Sequence, residues 1–247
     1  MSKRERIDKL LVGSGLAESR ARAHALVMAG VVLADEKRVA KPSDLVGPDA
    51  VIRIKGDSPE SRYVGRGGLK LERALEAFHI RVDEYNCIDI GSSTGGFTDC
   101  LLKHGAARVT AIDVGTNQLV WALRSDDRVD VRENTNAREL KPADFADPFD
   151  LAVMDVSFIS VTKILPALVP LLTATGTLVV LIKPQFEVGR GEVGKGGIVK
   201  DPAKHERVVN EVNGFAGSLG LSVEGTIESP ILGAEGNKEF LSHYARQ

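Results

Sequence analysis

The chain of 247 residues has only two cysteines, Cys87 and Cys100. They fall in a predicted strand and in the helix after it, where a cysteine is typical of a small core residue. Two such cysteines exclude the framework of a disulfide-stabilised secreted domain, and we expect no metal site. The first residues, Met-Ser-Lys-Arg-Glu-Arg, lack the apolar run of a signal peptide. These absences predict a protein of the reducing cytoplasm.

An unbroken apolar segment long enough to cross a membrane is also lacking. Residues 164–182 carry no charge, but Pro166, Pro170, Gly176 and several threonines interrupt them. We interpret the segment as a helix, a turn and a buried strand. No internal repeat and no low-complexity tail occurs. The sequence therefore favours a protein without a membrane span.

The net charge of −2 conceals an uneven distribution. Residues 1–73 contain 15 lysines and arginines against 10 acidic residues, whereas the rest contains 17 against 24. The length allows a small domain joined to a medium one. A basic front joined to an acidic back predicts that any binding to a polyanion is led by the N-terminal part.

Two short helices and a small sheet are predicted at the front. Apolar spacing indicates a helix from Ile7 to near Gly13 and a second over residues 20–28, which Ser19 can cap. Strands are predicted over 31–33 and 51–54. The pattern resembles the ribosomal protein S4-like RNA-binding domain through the segments 6–11, 19–22 and 30–32, which read Arg-Ile-Asp-Lys-Leu-Leu, Ser-Arg-Ala-Arg and Gly-Val-Val.

This resemblance implies a small α+β RNA-binding domain over residues 1–58. Guanidinium groups on one helix face can grip phosphates, so Arg6, Arg20 and Arg22 are the expected RNA contacts. A small solvated adaptor domain is the alternative. The segment 57–59, Asp-Ser-Pro, is the predicted linker.

The rest of the chain is organised around residues 86–97, Asn-Cys-Ile-Asp-Ile-Gly-Ser-Ser-Thr-Gly-Gly-Phe. A short apolar strand, a glycine turn and a helix present backbone N–H groups to a cofactor, although an ordinary tight turn uses the same residues. The spacing G-x-x-x-G-G favours S-adenosylmethionine over NAD. The candidate cofactor contacts are Asp89, Gly91, Ser92, Ser93, Gly95, Gly96, Asp113, Asn136 and Asp155.

Apolar runs continue to alternate with helical patterns. Strands are predicted over 109–114, 129–131, 151–154, 178–182, 221–227 and 239–244. Such near-continuous apolar runs are typical of parallel strands covered on both faces. A mobile glycine-rich loop is predicted over 185–197, and a helix over 202–219. The predicted fold class is α/β.

Charged residues end several buried strands, notably Asp113, Asp155 and Lys183. Ligands of open α/β sheets bind beyond these strand ends. The residues after Asp155 lack the prolines of amino-nitrogen methyltransferases, and neither cysteine is placed to methylate a pyrimidine carbon. A hydroxyl acceptor remains. Lys183 would act as its base or would only orient it, and both roles stay open.

Lys70, Asp155, Lys183 and Glu239 resemble, in order and context, the Lys-Asp-Lys-Glu tetrad of FtsJ-like ribose 2′-O-methyltransferases. Their flanking segments, 65–70, 155–160 and 183–187, together with the front domain, resemble the TlyA family over essentially the whole chain. The resemblance implies a Rossmann-like S-adenosylmethionine-dependent methyltransferase domain over residues 59–247, with the tetrad as its catalytic residues.

The same resemblance implies ribosomal RNA or ribosomal subunits as the partner and a cytidine ribose as the acceptor. Arg66 is a further expected RNA contact. Members of the family are also described as hemolysins, so a membrane-active protein is one alternative. An RNA-binding module with an inert α/β domain is another, and the intact tetrad argues against it. A dehydrogenase ranks a distant fourth, after the methyltransferase, the membrane-active protein and the RNA-binding module.

Overall fold

A computed structural model provides the structure of the protein. It describes residues 4–17, 19–28, 30–47, 50–54, 62–189 and 191–246. The chain forms two compact units, Met1–Arg62 and Tyr63–Gln247. The predicted linker at 57–59 and the predicted boundary between residues 58 and 59 lie outside the described residues.

The first unit combines two short helices with two small antiparallel sheets. The helices are α1 (Ile7–Gly13) and α2 (Arg20–Met28), close to their predicted bounds. Strand β1 (Glu5–Arg6) pairs with β4 (Leu45–Val46), and β2 (Val32–Ala34) lies between β3 (Lys37–Arg38) and β5 (Ile52–Ile54). The helices contribute Ile7, Leu11, Ala23 and Val27 to one apolar core, which explains their apolar spacing.

A buried carboxylate ties this unit together. Asp8, in the first turn of α1, accepts hydrogen bonds from Nε and Nη2 of Arg6 at 3.0 and 2.9 Å, and from Nη2 of Arg20 at 3.0 Å. The hydrogen bonds from Arg6 are the main cause that holds the pKa of Asp8 well below its usual range. Arg6 and Arg20, both predicted to contact RNA, therefore also have a structural partner.

The second unit is built on a seven-stranded sheet. Its strands are β6 (Asn86–Ile90), β7 (Arg108–Ile112), β8 (Val129–Arg132), β9 (Phe149–Met154), β10 (Leu172–Ile182), β11 (Leu221–Glu228) and β12 (Phe240–Arg246). The order is β11-β12-β10-β9-β6-β7-β8. Five strands, β6 to β10, are parallel, and β12 is antiparallel to both of its neighbours. The predicted α/β fold class is confirmed.

Helices cover both faces of this sheet. They are α3 (Gly67–Ala77), α4 (Gly96–Lys103), α5 (Trp121–Arg124), α6 (Leu165–Leu168), α7 (Pro184–Glu187) and α8 (Pro202–Ser218). One apolar core contains residues of α3 and α4, and the other contains residues of α6 and α8. Burial on both faces explains the near-continuous apolar runs within the central parallel strands, such as residues 151–154 and 178–182.

The sequence interpretation gave the right order of elements for residues 164–182 and was wrong at one end of the glycine-rich loop. Residues 164–182 contain α6, a short turn over Val169–Leu171 and β10, but β10 begins at Leu172, six residues before the predicted strand. Residues 185–187, predicted to be part of a mobile loop, belong to α7. Pro184 begins that helix, a position where its missing N–H costs nothing. Among the described residues no helix has the length and apolarity needed to cross a bilayer.

The strand order reverses at one point in the sheet. The chain runs from β6 outward to β7 and β8, and then returns to β9 on the other side of β6. Such a reversal opens a crevice beyond the carboxyl ends of the two central strands, where ligands of α/β proteins bind. Gly91 follows β6 and Asp155 follows β9, so the predicted cofactor loop and the predicted catalytic carboxylate meet there.

We predict that Asp8→Asn lowers the free energy of unfolding of the first unit by about 1–3 kcal/mol at pH 7, because charge-assisted hydrogen bonds are lost. Since folding lowers the pKa of Asp8, its stabilisation is complete above the unfolded pKa of about 3.9 and is lost as the pH falls below it. Hydrogen exchange should quicken in peptides from residues 4–54 and not in those from 86–112.

Glu5→Gln is the matched control, because Glu5 is exposed on β1. It should leave exchange in both units unchanged at neutral pH. An Asp8→Asn protein with the same stability and acid sensitivity as the original chain would contradict this assignment.

Candidate active site

The glycines of residues 91–96 allow close backbone packing. Gly91 and Gly95 have φ angles of 83° and 102°, in the left-handed region that favours glycine. A side chain on Gly91 would overlap the backbone oxygen of Asp155, and one on Gly95 would overlap Leu123. The loop therefore lies directly against Asp155, the residue that follows β9. The close packing that requires glycine at these two positions is packing against other parts of the chain.

The loop also packs against the start of α3. A Cβ atom on Gly96 would lie 3.0 Å from the backbone nitrogen of Gly68 and 3.2 Å from the oxygen of Gly65. The segment around Arg66 thus forms one wall of the crevice. Arg66 itself is exposed, and its side chain has no hydrogen bond or ion pair to another described residue.

Two cavities open along this crevice. The larger has a volume of about 480 Å³ and is lined by residues after β6, β7, β8 and β9, among them Asp113, Gln118 and Asn136. The smaller, of about 220 Å³, lies between the glycine loop and the start of α3 and reaches Lys183. Both are lined by Gly91, Ser93, Asp155 and Ser157. The larger volume is within the range of small-molecule sites.

Asp113 is held rigidly at the wall of the larger cavity. Its Oδ2 accepts from the backbone N–H of Ser93 at 2.8 Å, and its Oδ1 accepts from the N–H of Gly115 at 2.7 Å. Each carboxylate oxygen can accept a second hydrogen bond, so this carboxylate can also receive a ligand hydroxyl. Asn136 accepts from the N–H of Arg138 at 3.2 Å and begins a turn beside it.

Asp89 has a different environment from the other predicted cofactor contacts. It is fully buried within β6 and lines neither cavity. Its Oδ2 accepts from the hydroxyl of Thr98 in α4 at 2.7 Å, while its Oδ1 has no partner among the described residues. Burial is the main cause that raises the pKa of Asp89 to about 7. Asp89 therefore supports the glycine loop by linking β6 and α4, the elements before and after it.

The four residues of the predicted tetrad form two ion pairs. Nζ of Lys183 lies 2.6 Å from Oδ1 of Asp155, and Nζ of Lys70 lies 2.5 Å from Oε2 of Glu239. Lys70, Lys183 and Glu239 are buried, and Asp155 is partly buried. Buried charges persist in folded proteins when they are paired, so each pair stabilises both of its members.

Sheet register explains how distant residues meet. Ile182 of β10 pairs with Phe240 of β12 at the end of this antiparallel pair. The same register places Lys183 opposite Glu239, one position further. Gly233 leaves room for the carboxylate of Glu239, because a side chain there would overlap it.

Sequence reasoning missed two residues of the site. Ser157 accepts a hydrogen bond from Nζ of Lys183 at 2.8 Å. Phe158 is 91% exposed, has a φ of 65°, and its ring centroid lies 5.0 Å from that of Phe186. Their signal was their place two and three positions after Asp155, beyond the end of a buried strand. A positive φ at a bulky residue such as Phe158 is uncommon, and such residues cluster at functional sites.

The expected RNA contacts of the first unit occupy different surroundings. Arg6 and Arg20 share the carboxylate of Asp8. Arg22 is exposed, with no side-chain partner among the described residues. In the part of the chain that the structure describes, no group of histidine, cysteine or acidic side chains could hold a metal ion.

Comparison with known proteins assigns a family to each unit. Residues 63–246 match the model of the FtsJ-like methyltransferases, and residues 5–52 match that of the S4 domain. A Bacillus subtilis protein provisionally named rRNA methyltransferase YqxC is 50% identical over 98% of this chain and 86% of its own. The Mycobacterium tuberculosis 16S/23S rRNA (cytidine-2′-O)-methyltransferase TlyA is 47% identical over 97% of this chain and 89% of its own.

A solved structure is similar over the entire length. It is a protein of Streptococcus thermophilus provisionally described as a hemolysin, with a TM-score of 0.76 and 47% identity. The match covers 100% of this chain and 90% of the other. The chain therefore joins an S4 domain to an FtsJ-like methyltransferase domain and belongs to the TlyA family.

Proposed function

We propose that the protein transfers a methyl group from S-adenosylmethionine to the 2′-hydroxyl of a cytidine ribose in ribosomal RNA. The observation that carries the proposal is the lysine–carboxylate pair of Lys183 and Asp155, 2.6 Å apart, where the two cavities meet. The family and the activity named for the Mycobacterium tuberculosis relative support the reaction and the substrate. The protein would act in the cytoplasm.

The larger cavity fits the nucleoside part of the cofactor. Asp113, already oriented by two backbone N–H groups, would accept hydrogen bonds from the ribose hydroxyls, and Asn136 would border the base. When bound, S-adenosylmethionine supplies an electrophilic methyl group. Gly91, Asp155 and Ser157 line both cavities, so the acceptor hydroxyl would approach at these residues.

Lys183 is the residue best placed to act on that hydroxyl. A lysine ammonium has three donors, and Nζ of Lys183 directs two of them to Asp155 and Ser157. These two contacts fix the position of Nζ. Its third position, an N–H in the ammonium or a lone pair in the neutral amine, can then meet the acceptor oxygen. A ribose hydroxyl is a weak acid, and transfer requires its proton to leave and its oxygen to lie in line with the methyl group. Lys183 can serve either need.

The pair of Lys70 and Glu239 supports the same edge. Removing one partner of a buried ion pair leaves an uncompensated charge and is strongly destabilising. We assign this pair to holding α3 against the residue that precedes β12. Lys70 would also add positive potential near an RNA acceptor, and we retain all four residues as the proposed catalytic set.

Phe158 is proposed to support the base of the acceptor nucleotide. Its ring is exposed and directly follows Ser157, a partner of Lys183. Single-stranded or flipped-out bases commonly stack on aromatic side chains. A stacked base would hold its own ribose beside Asp155 and Lys183.

The S4 domain is proposed to anchor the RNA through Arg6, Arg20 and Arg22, with Arg66 as a further contact in the second unit. A guanidinium has five donors, so Arg6 and Arg20 can hold Asp8 and still reach a phosphate. Arg22 has all of its donors available among the described residues. For the membrane-active alternative, the described part of the chain offers no helix long and apolar enough to cross a membrane.

The central prediction concerns Lys183. Lys183→Ala should lower kcat for transfer from labelled cofactor to ribosomal subunits by about 10²–10⁴, while calorimetry shows little change in cofactor affinity. Lys183→Arg should fail as well if the lysine is the base, because a guanidinium does not deprotonate at neutral pH. If Arg restores turnover, Lys183 supplies charge and orientation instead.

Lys103→Ala is the control, because Lys103 pairs with Asp99 at 2.9 Å on α4 and lines neither cavity. It should retain full turnover. If Lys183→Ala also retains it, the catalytic assignment is wrong, and an RNA-binding module with an inert α/β domain becomes the better interpretation.

A second prediction concerns Phe158. Phe158→Ala should reduce kcat/KM for RNA by about tenfold, since stacking of one base on an aromatic residue is worth about 1–3 kcal/mol. Phe158→Tyr should restore most of it. Trp121→Ala, at another exposed aromatic position, should leave kcat/KM unchanged. Equal rates for Phe158→Ala and the original chain would remove the stacking role.

A third prediction concerns Arg22. Arg22→Ala should weaken binding to ribosomal RNA and reduce the salt dependence of the affinity by about one phosphate contact, with cofactor affinity unaltered. Arg108→Ala, at the amino end of β7 and away from the crevice, is the matched control. Identical salt slopes for Arg22→Ala and the original chain would exclude Arg22 from the RNA interface.

A further inference from the structure

The loop of residues 113–119 forms one wall of the larger cavity, yet it belongs to no helix or strand. Asp113, Val114 and Gln118 line the cavity from this loop. Asn117 has a φ of 54°, in the left-handed region that asparagine adopts more readily than most residues with a side chain. Because the loop has no helix or strand hydrogen bonds of its own, contacts with neighbouring residues decide its shape.

Glu133, directly after β8, provides these contacts. Its Oε2 accepts from the backbone N–H of Asn117 at 2.8 Å. Its Oε1 accepts from the N–H groups of Gln118 at 2.9 Å and Leu119 at 3.4 Å. Nη2 of Arg124 donates to the same oxygen at 2.6 Å. One carboxylate therefore receives three consecutive backbone N–H groups and a guanidinium.

The residues after Glu133 continue the connection. The N–H of Asn134 donates to the oxygen of Gly115 at 3.0 Å, and the N–H of Thr135 donates to the oxygen of Asp113 at 2.9 Å. Arg124 is the main cause, with backbone N–H groups next, that lowers the pKa of Glu133 to about 2. The carboxylate is therefore charged throughout the neutral range.

The position of this loop also affects the glycine loop beside it. Leu119 is buried, and its Cδ1 would lie only 2.8 Å from a Cβ atom on Gly95. A shift of residues 117–119 would thus disturb both the wall of the cavity and the turn before α4. Glu133 itself lines neither cavity, so its effect on a ligand must pass through the loop.

We infer that Glu133 is a positioning residue that sets cofactor affinity by holding residues 113–119 in their binding shape. This inference rests on the proposed function, in which the larger cavity receives the nucleoside of S-adenosylmethionine. A carboxylate is required, because the acceptors must face N–H donors on both oxygens. A carboxamide would turn an NH₂ group toward one of them.

The test is Glu133→Gln in the full chain. Calorimetry with S-adenosylmethionine and with its demethylated product, S-adenosylhomocysteine, should show Kd raised about tenfold, as when only about a tenth of the molecules hold the competent loop. At saturating cofactor kcat should stay within about twofold. Amide hydrogens of Asn117, Gln118 and Leu119 should exchange faster in the free variant, and saturating product should restore their protection.

Glu192→Gln is the matched control. Glu192 accepts from the backbone N–H of Gly189 at 3.0 Å and from Nη2 of Arg207 at 2.8 Å, and it lines neither of the two cavities. Glu192→Gln loses the same kinds of contact as Glu133→Gln, and its Kd for S-adenosylmethionine should match that of the original chain. Arg124→Gln is a second variant should Glu133→Gln fail to fold. It keeps the carboxylate on the backbone N–H groups and should raise Kd by a smaller factor.

The outcomes separate this inference from the proposed function. If the original chain binds neither S-adenosylmethionine nor its product, the proposed function fails first. If the original chain binds and Glu133→Gln binds equally well, the inference is overturned. An equal rise in Kd for Glu192→Gln, or a loss of kcat at unchanged Kd, would overturn it too.

Discussion

The contact between Gly91 and the backbone of Asp155 is the constraint on which the site depends. The two residues follow neighbouring parallel strands at the point where strand order reverses. Because Gly91 has no side chain, the loop after β6 can lie against the exit of β9. The larger cavity, the smaller cavity and the pair of Asp155 and Lys183 are all arranged around this contact. The absence of a side chain at Gly91 therefore brings the proposed cofactor loop and the proposed catalytic carboxylate into one site.

Charge pairing then determines how the site is assembled. Lys183 and Glu239 stand opposite each other across β10 and β12, yet each pairs with a residue from another element. Lys183 pairs with Asp155 and Glu239 with Lys70. Together the two ion pairs link α3 and the ends of β9, β10 and β12. Since burial makes an unpaired charge costly, the ion pairs favour this arrangement of the four elements.

The sequence predicted those parts of the fold that depend on local pattern. The carboxyl-terminal halves of β9 and β10 are continuous apolar runs because they are covered on both faces, and the glycine turn after Ile90 has a distinctive spacing. The contacts of Ser157 and Glu133 could not be predicted in this way, because they join residues that meet only in the folded chain. The helix at Pro184–Glu187 was missed since the glycines beyond it dominate the local composition.

The place of β12 in the sheet has a consequence for biosynthesis. β12 lies between β10 and β11, although both of these precede it in the chain. A polypeptide emerging from a ribosome therefore exposes two strands whose shared neighbour is not yet made. Glu239 directly precedes β12, so Lys70 lacks its partner carboxylate until this last part of the chain has emerged. Domains fold from the N-terminus during synthesis, and here the S4 domain can form well before the methyltransferase sheet closes.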